Sequence, residues 1–307
     1  MLQQAHLIST RYLKMTKMKN LFSVAMVFSM LISSSCKKNK TVNPGMGSNA
    51  IHLATDATHG SYLTTGDGLT LYMFANDADG LNTCTGGCEA TWPVFTADLT
   101  TAKLDAGLTA IDFTTVTTAS GKKQVTYKGW PLYSYSPSSV DGYGNPVHKP
   151  ELPGSTQGDG IGQIWFIAKP DYTIMIANKQ LKGFDGNNYK SDYTVGAGNS
   201  KYFTNGQGRA IYIFTVDSFN INKFTKADFS NNRVWPIYEE QKIVVPSILD
   251  KTLFGNITVS GKKQMTYKGW PLYHFGQDTV RGLNLGVSIA APGKWPVASK
   301  DISEAKK

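Results

Sequence analysis

Four segments of the chain share one order of glycine, apolar and aromatic positions. Each reads Gly-x-x-Leu/Ile-Tyr-x-aromatic, and they begin at Gly68, Gly129, Gly208 and Gly269. A short β-rich run and a glycine-containing turn precede each motif, which is the pattern of a β-hairpin. Because side chains alternate between the faces of a strand, the Tyr and the aromatic residue two positions later share a face. The pattern therefore predicts four hairpins.

The four hairpins belong to a longer duplication. The sequence GKKQVTYKGWPLY at 121–133 returns as GKKQMTYKGWPLY at 261–273, and a Trp closes each of the four units. We expect an all-β, β-dominated fold of two tandem homologous small domains, 50–178 and 179–301, each with an internal two-fold repeat of a hairpin-plus-Trp unit. A single four-part closed assembly is the alternative. The closing tryptophans are Trp92, Trp165, Trp235 and Trp295.

The N-terminal 49 residues have the composition of an export signal and a tether. A positive stretch at 17–20, an apolar run at 21–32 and three serines precede Cys36. This order predicts a lipoprotein signal peptide at 18–35, with 1–17 as a mis-assigned start, lipidation at Cys36 and a flexible tether at 36–49. Cleavage nearby with Cys36 left free is the alternative. We expect a protein anchored in the bacterial cell envelope, at the periplasmic face or cell surface, with a short tail at 302–307.

Charge gives little support to nucleic-acid binding. Removal of a leader that contains Arg11, Lys14, Lys17 and Lys19 would lower the formal net charge from +9 to +5. The remaining cations are scattered through predicted strands and turns, without a basic helix. We therefore expect solvated surface lysines and no nucleic-acid partner.

Two cysteines remain in the predicted mature body, in Cys84-Thr-Gly-Gly-Cys88. In an exported protein a lone close pair is most simply a disulfide. The alternative is a pair of thiolates that holds Cu(I), with Met73, Met46 or His59 as further ligands.

An acid follows the aromatic residue of the motif in three of the four units. Asp77, Asp217 and Asp278 stand three residues after it, whereas the second unit has Ser138 there. We expect these acids to shape turns, with a ligand or cation role as the alternative. The motif aromatics are expected in the core, with a sugar-stacking platform as the alternative.

These motifs resemble a family of predicted bacterial lipoproteins, the secreted repeat of unknown function, whose hallmark is Tyr-x-(Phe/Trp/Tyr)-x-x-Asp. The second half departs from the family pattern, because Phe224 and Asp228 stand where a 140-residue shift would place the cysteines. The resemblance implies a class and a location and assigns no activity. The hallmark residues here are Tyr72, Phe74, Asp77, Tyr212, Phe214, Asp217, Tyr273, Phe275 and Asp278.

The chain shows no recognisable catalytic constellation. Its five histidines are dispersed, and no zincin pattern, nucleophile elbow or phosphate-binding loop is present. We therefore expect no enzymatic activity, no cofactor and no resident metal. The favoured hypothesis is a lipid-anchored binding or envelope-associated module whose protein or small-molecule partner is unknown. The alternative is a periplasmic redox, electron-transfer or copper-handling accessory that uses Cys84 and Cys88.

Overall fold

A computed structural model describes residues 49–307, and the predictions for the start, the signal peptide, Cys36 and most of the tether lie outside these residues. The described residues belong to one compact unit built mostly of β-strands, which confirms the predicted all-β class. One α-helix, α1 (Gly87–Thr91), occurs among them. The short 3-10 helices span Ala75–Asp77, Ala110–Asp112, Ile161–Gln163, Lys251–Leu253 and Leu285–Ser288.

The first half of the body, residues 49–170, contains three sheets. Their orders are β2-β1-β4, β10-β3-β7-β6-β5 and the hairpin β8-β9. All pairs are antiparallel except β1 with β4. The strands are β1 (Ala50–Asp56), β2 (Gly60–Thr65), β3 (Tyr72–Phe74), β4 (Lys103–Leu104), β5 (Phe113–Thr117), β6 (Lys123–Tyr127), β7 (Trp130–Tyr133), β8 (Ser138–Val140), β9 (Pro146–His148) and β10 (Trp165–Ile167).

The second half, residues 171–307, repeats this plan with fewer regular strands. Its sheets have the orders β12-β11-β13 and β14-β15-β16. The motif of the third unit forms no strand, but Tyr212 and Tyr273 still exchange backbone hydrogen bonds of 2.8 and 2.9 Å, in the place where β3 pairs with β7. The strands are β11 (Met175–Lys182), β12 (Asn188–Tyr189), β13 (Asn199–Thr204), β14 (Phe254–Val259), β15 (Lys262–Tyr267) and β16 (Trp270–Pro271).

A Lys-Gly turn connects the strands of the second and fourth hairpins. Lys128 and Gly129 both have positive φ, at 48° and 78°, and Lys268 and Gly269 repeat these values at 49° and 78°. Two positive φ values are what a two-residue turn needs to match the twist of its strands. A Cβ on Gly129 would also lie 1.7 Å from Nη1 of Arg281, so glycine is required there twice over.

The two halves share a hydrophobic core. Its largest cluster contains residues of the first half, such as Leu132, together with Ile176 and Leu272 of the second. The boundary predicted after residue 178 falls inside β11. Polar contacts also join the halves, because the indole N–H of Trp130 donates to Gly206 O at 2.9 Å and Arg281 Nη1 donates to Lys128 O at 2.8 Å.

Candidate functional site

In the second half, the tyrosine of each repeat unit bonds the acid of the other unit. The hydroxyl of Tyr273 donates to Asp217 Oδ2 at 2.8 Å, and that of Tyr212 donates to Asp278 Oδ2 at 2.5 Å. Tyr212 and Asp217 belong to the third unit, and Tyr273 and Asp278 to the fourth. Each unit therefore supplies one donor and one acceptor. We call each of these bonds a tyrosine–acid lock.

The second oxygen of each acid organises the chain that follows it. Asp217 Oδ1 accepts the backbone N–H of Lys223 at 2.7 Å, and Asp278 Oδ1 accepts that of Leu285 at 2.9 Å. The motif acid thus fixes a loop with one oxygen and holds the partner unit with the other.

The first half contains the same pair of locks. The hydroxyl of Tyr133 donates to Asp77 Oδ2 at 2.5 Å, and that of Tyr72 donates to Glu151 Oε1 at 2.5 Å. Glu151 Oε2 accepts the backbone N–H of Gln157 at 3.0 Å, as Asp278 does from its own loop. Glu151 therefore serves as the acid of the second unit.

An inserted hairpin explains why the second unit has no acid at the expected position. Asp278 follows Phe275 by three residues, whereas Glu151 follows Tyr135 by 16. The hairpin β8–β9 occupies the additional residues, and Ser138 lies exposed at its start. The second unit is thus not without an acid, because the insertion only displaces it along the chain.

Glu151 was missed because the hallmark motif was read at fixed spacing, yet a signal was present. An acid stands seven residues before Gly158 and eight residues before Gly286. The N–H of each glycine donates to the lock hydroxyl, Tyr72 or Tyr212, at 3.2 Å. Alignment on the glycine and the closing Trp, rather than on the aromatic residue, would have found Glu151.

The motif aromatics and the closing tryptophans form one ring stack in each half. In the first half Phe74 stacks on Trp165 at 4.0 Å, Trp165 on Trp92 at 3.8 Å, and Trp92 packs on Tyr135 at 4.5 Å. Rings of the first and second units alternate, so the stack joins the units as the locks do. The second half repeats it with Phe214, Trp295, Trp235 and Phe275 at 4.2, 3.7 and 4.7 Å.

Burial controls the electrostatics of the locks. Loss of solvation raises the pKa of Asp77, Asp217 and Asp278 to about 6, against the lowering effect of their hydrogen bonds. The pKa of Glu151 is raised for the same reason. Each of these four carboxyls accepts hydrogen bonds from structural donors with both of its oxygens.

The cysteine pair replaces a ring in the packing of the first half. Cys84 and Cys88 form a disulfide with a Cα–Cα distance of 5.3 Å, and Cys84 is buried. In the second half Phe224 occupies the equivalent position and packs against Phe214 and Trp295 at 5.4 and 4.8 Å. The disulfide thus fills space that a phenyl ring fills in the other half.

A separate hydrophobic cluster in the first half, which we call the Trp92 cluster, lies beside three features that the second half lacks. The disulfide packs in it through Cys84, and the ring of His59 packs edge-on against Tyr62 at 6.3 Å. The hairpin β8–β9 lies in the chain between two residues that contact this cluster. Tyr135 packs against it, and Glu151 accepts a hydrogen bond from its member Tyr72. Its buried members are Tyr62, Tyr72, Phe74, Cys84, Trp92, Tyr133, Trp165 and Ile167.

The inserted hairpin carries exposed apolar side chains. Tyr143 at its tip is 94 % exposed, and Val140 and Leu152 are also exposed. The tip is ordered by Asp141, whose Oδ1 accepts the N–H groups of Tyr143 and Asn145 at 2.8 and 2.9 Å. The aromatic residue is therefore presented to solvent by a turn of defined shape.

Four of the five side chains suggested as copper ligands lie within the described residues. Met73 lies in the large core cluster, Cys84 and Cys88 are bonded to each other, and Met46 lies outside the described residues. Within residues 49–307, no three His, Cys, Asp or Glu side chains are grouped to hold a metal ion. Nor does any helix in this range have the length and apolarity to cross a membrane.

A groove of about 620 Å³ lies elsewhere, in the second half between β14 and the C-terminal tail. Phe254, Lys268 and Asp301 contribute to its lining. None of its lining residues belongs to a tyrosine–acid lock.

These features define a class, the all-β proteins built of paired hairpin units that exchange tyrosine–acid bonds. Residues 54–96, 114–137 and 257–299 match the model of a family described as a secreted repeat of unknown function. The match confirms the resemblance seen in the motifs and indicates an exported protein. The segments contain Asp77, Tyr133, Tyr273 and Asp278 of the locks. No curated protein and no solved structure matches the chain.

Proposed function

We propose that the protein is lipidated at Cys36, held at the cell envelope by the tether, and acts as a non-enzymatic binding module. The contact surface is the hairpin β8–β9 together with the adjoining surface of the Trp92 cluster. Its partner is a protein or small molecule of the envelope.

One observation carries this proposal. Most of the repeated motif residues are buried in locks and ring stacks, whereas the departures from internal symmetry gather around the Trp92 cluster. Exposed aromatic residues on ordered loops are common contact groups in binding surfaces. The second half keeps the same scaffold without the hairpin, so the fold does not require this surface.

The anchor is tested by fractionation of cells that produce the Cys36→Ser protein. We expect the variant in the soluble extracytoplasmic fraction and the parent protein in the membrane fraction. A Lys37→Ala variant, which changes the neighbouring residue and keeps the sulfur, should stay with the membrane. Equal membrane retention of the Cys36→Ser protein would contradict lipidation at this residue.

The binding surface is tested with the released Cys36→Ser protein by co-sedimentation with washed envelope from the same bacterium. Tyr143→Ser on this background should reduce the sedimented fraction at least several-fold. Phe184→Ser, at a ring of the second half that is 55 % exposed, is the matched control and should leave it unchanged. Equal sedimentation of the two variants would exclude the hairpin as the contact.

A second function, redox exchange or copper handling at the cysteine pair, is favoured by the partial exposure of Cys88. An exchange partner needs access to one sulfur, and Cys88 provides it while Cys84 is buried. A thiol count and metal analysis of protein from an oxidising compartment tests this role. Absence of copper would reject the copper role, and a disulfide that reduced glutathione leaves intact would reject exchange.

A further inference from the structure

His59 lies between two carboxylates in the first half. Its Nδ1 is 2.8 Å from Asp56 Oδ2, and its Nε2 is 3.6 Å from Asp159 Oδ2. The side chains of His59 and Asp159 are only 15 % and 8 % exposed. Since an ionised carboxylate can only accept, Nδ1 carries the proton that faces Asp56. The lone pair of a neutral His59 then points from Nε2 toward Asp159, so two acceptors face each other.

Two facing acceptors repel unless a positive charge relieves them, and besides the buried Lys169 nearby that charge can be a proton on Nε2 or a metal ion. A hydrogen bond would bring the nitrogen and oxygen to about 2.7–3.2 Å. Two ligands of one tetrahedral ion, at bonds of about 2.0 to 2.1 Å, lie about 3.3 Å apart. The observed 3.6 Å is longer than a hydrogen bond and leaves room for an ion bound to both atoms.

The other half shows that the scaffold does not need these residues. In the first half, His52 of β1 pairs with Thr64 of β2. In the second half, Met175 of β11 pairs with Thr204 of β13, and these two pairs occupy equivalent positions. When residues are counted along the strands from these two pairs, Lys179 corresponds to Asp56 and Asn199 corresponds to His59.

The third member of the group is equally dispensable to the scaffold. Gly158 and Gly286 both donate to a lock tyrosine, so the residue after each is equivalent, and Val287 stands where the first half has Asp159. Val287 is fully buried. The first half thus has a carboxylate, with its side chain only 8 % exposed, where the second half has a buried apolar side chain.

The remaining carboxylate atoms hold the ligands in position. Asp56 Oδ1 accepts the N–H of His59 at 2.6 Å, a bond that keeps the pKa of Asp56 below its ordinary value. Asp159 Oδ1 accepts the N–H of Ile167 at 2.9 Å, which leaves Oδ2 to face His59. A carboxylate behind a histidine is the usual support of a metal-ligating imidazole.

We propose that His59 Nε2 and Asp159 Oδ2 bind one divalent first-row transition-metal ion, with Asp56 as the positioning residue behind His59. Water completes the coordination, as in a site open to exchange. Asp56 occupies the far nitrogen and so cannot be a third ligand, which is why the residues form no three-ligand group. This inference does not rest on the binding role of the hairpin.

One neighbouring cation opposes the ion. The side chain of Lys169 is buried beside Asp56 and Asp159, and burial lowers its pKa. Lys251 and Asp171 also interact electrostatically with Lys169. Removal of the Lys169 charge should therefore strengthen cation binding.

The test is calorimetric titration of the full protein with zinc chloride at pH 7.5, in a buffer that does not chelate zinc. We expect one ion per chain. His59→Asn, which installs the residue of the second half, should abolish binding. Asp56→Asn should weaken it by about 10- to 100-fold, the usual effect of a residue behind a metal-ligating histidine. Lys169→Met should tighten it.

The matched control is His52→Asn. His52 pairs with Asp105 at 2.8 Å in the same way but faces no second carboxylate, so its loss should leave zinc binding unchanged. Thermal unfolding of each variant shows whether it folds, and Asp159→Asn, which keeps the acceptor for Ile167, provides a second ligand variant. The proposal is overturned if the parent protein binds no zinc, or if His52→Asn and His59→Asn reduce binding equally.

Discussion

The two halves of this protein make the same contacts with partly different residues. The amide of Asn82 donates to Gln124 at 2.7 Å in the first half, and Asn222 donates to Gln264 at 2.7 Å in the second. The tyrosine–acid locks of the two halves also agree in their contacts, although in the first half Glu151 takes the place of an aspartate. The comparison shows that the geometry of the lock is the repeated feature, and that a longer acid supplied from another loop can satisfy it.

The differences between the halves fall into two kinds. Some differences are two ways of filling the same space inside the scaffold, such as the disulfide of the first half and the ring of Phe224 in the second. Others, the hairpin β8–β9 and the group around His59, add something that the second half does without. Only the second kind gives information about function, because the first kind has a packing explanation.

The largest effect should come from the central ring of each stack. Trp165→Ala removes a buried ring that contacts three others and should cost about 3–5 kcal/mol of unfolding free energy. Trp295→Ala should cost the same, since its stack has the same distances within 0.2 Å. Urea denaturation measures both. A loss below 1 kcal/mol for either variant would show that the stacks do not hold the units together.

The pH dependence of stability tests whether the buried locks carry charge. Burial raises the pKa of Asp217 from its ordinary value of 3.8 to about 6 in the folded state, so between these pH values the folded protein binds more protons. The stabilising contribution is therefore complete below about pH 4 and is lost as the pH rises through 6, by about 3 kcal/mol at most.

Asp217→Asn isolates this contribution from that of the surface acids. The unfolding free energy of the variant, measured in urea from pH 4 to pH 8, should fall less between pH 4 and pH 6 than that of the parent. Asp77→Asn in the first half should behave alike, because its pKa is also about 6. Parallel curves for parent and variants would mean that these carboxyls titrate normally.

A smaller effect tests whether Glu151, and not Ser138 at the expected spacing, takes the place of the acid in the second unit. Glu151→Ala leaves the hydroxyl of Tyr72 and the N–H of Gln157 without their acceptor and should cost about 1–3 kcal/mol. Asp278→Ala should cost a similar amount. Ser138→Ala, on the exposed hairpin, should leave stability unchanged. Equal effects of Ser138→Ala and Glu151→Ala would refute the assignment of Glu151.

The sequence predicted the repeat and the class of fold because these depend on local chemistry. The positive φ of a Lys-Gly turn and the alternation around Tyr72 and Phe74 are readable over a few residues. The locks could not be predicted, because Tyr133 and Asp77 are 56 residues apart and nothing local states that they meet. Glu151 was missed for a second reason, since an insertion breaks a motif that is read at fixed spacing.

The site around His59 illustrates the same limit. Asp56 and His59 are neighbours in sequence, but Asp159 is brought to them only by the return of the chain after the hairpin. The sequence suggests His59 as a ligand beside the cysteines, whereas the fold places it beside the carboxylate of Asp159. Tertiary proximity, not composition, therefore decides which chemistry this histidine can perform.

The smallest expected effect comes from loss of the disulfide Cys84–Cys88. It tests whether the residues of the second half can replace the disulfide in the first. Closing a loop with a sequence separation of four removes little entropy from the unfolded chain, so reduction of Cys84–Cys88 should cost about 2 kcal/mol at most. A Cys84→Phe, Cys88→Asp double variant installs the residues of the second half. Its stability should be within about 2 kcal/mol of the parent and should not respond to a reducing agent. Urea denaturation with and without reductant measures both quantities. A loss above 4 kcal/mol in the variant would show that the ring does not fit the first half, and that the two solutions to this packing problem are not equivalent.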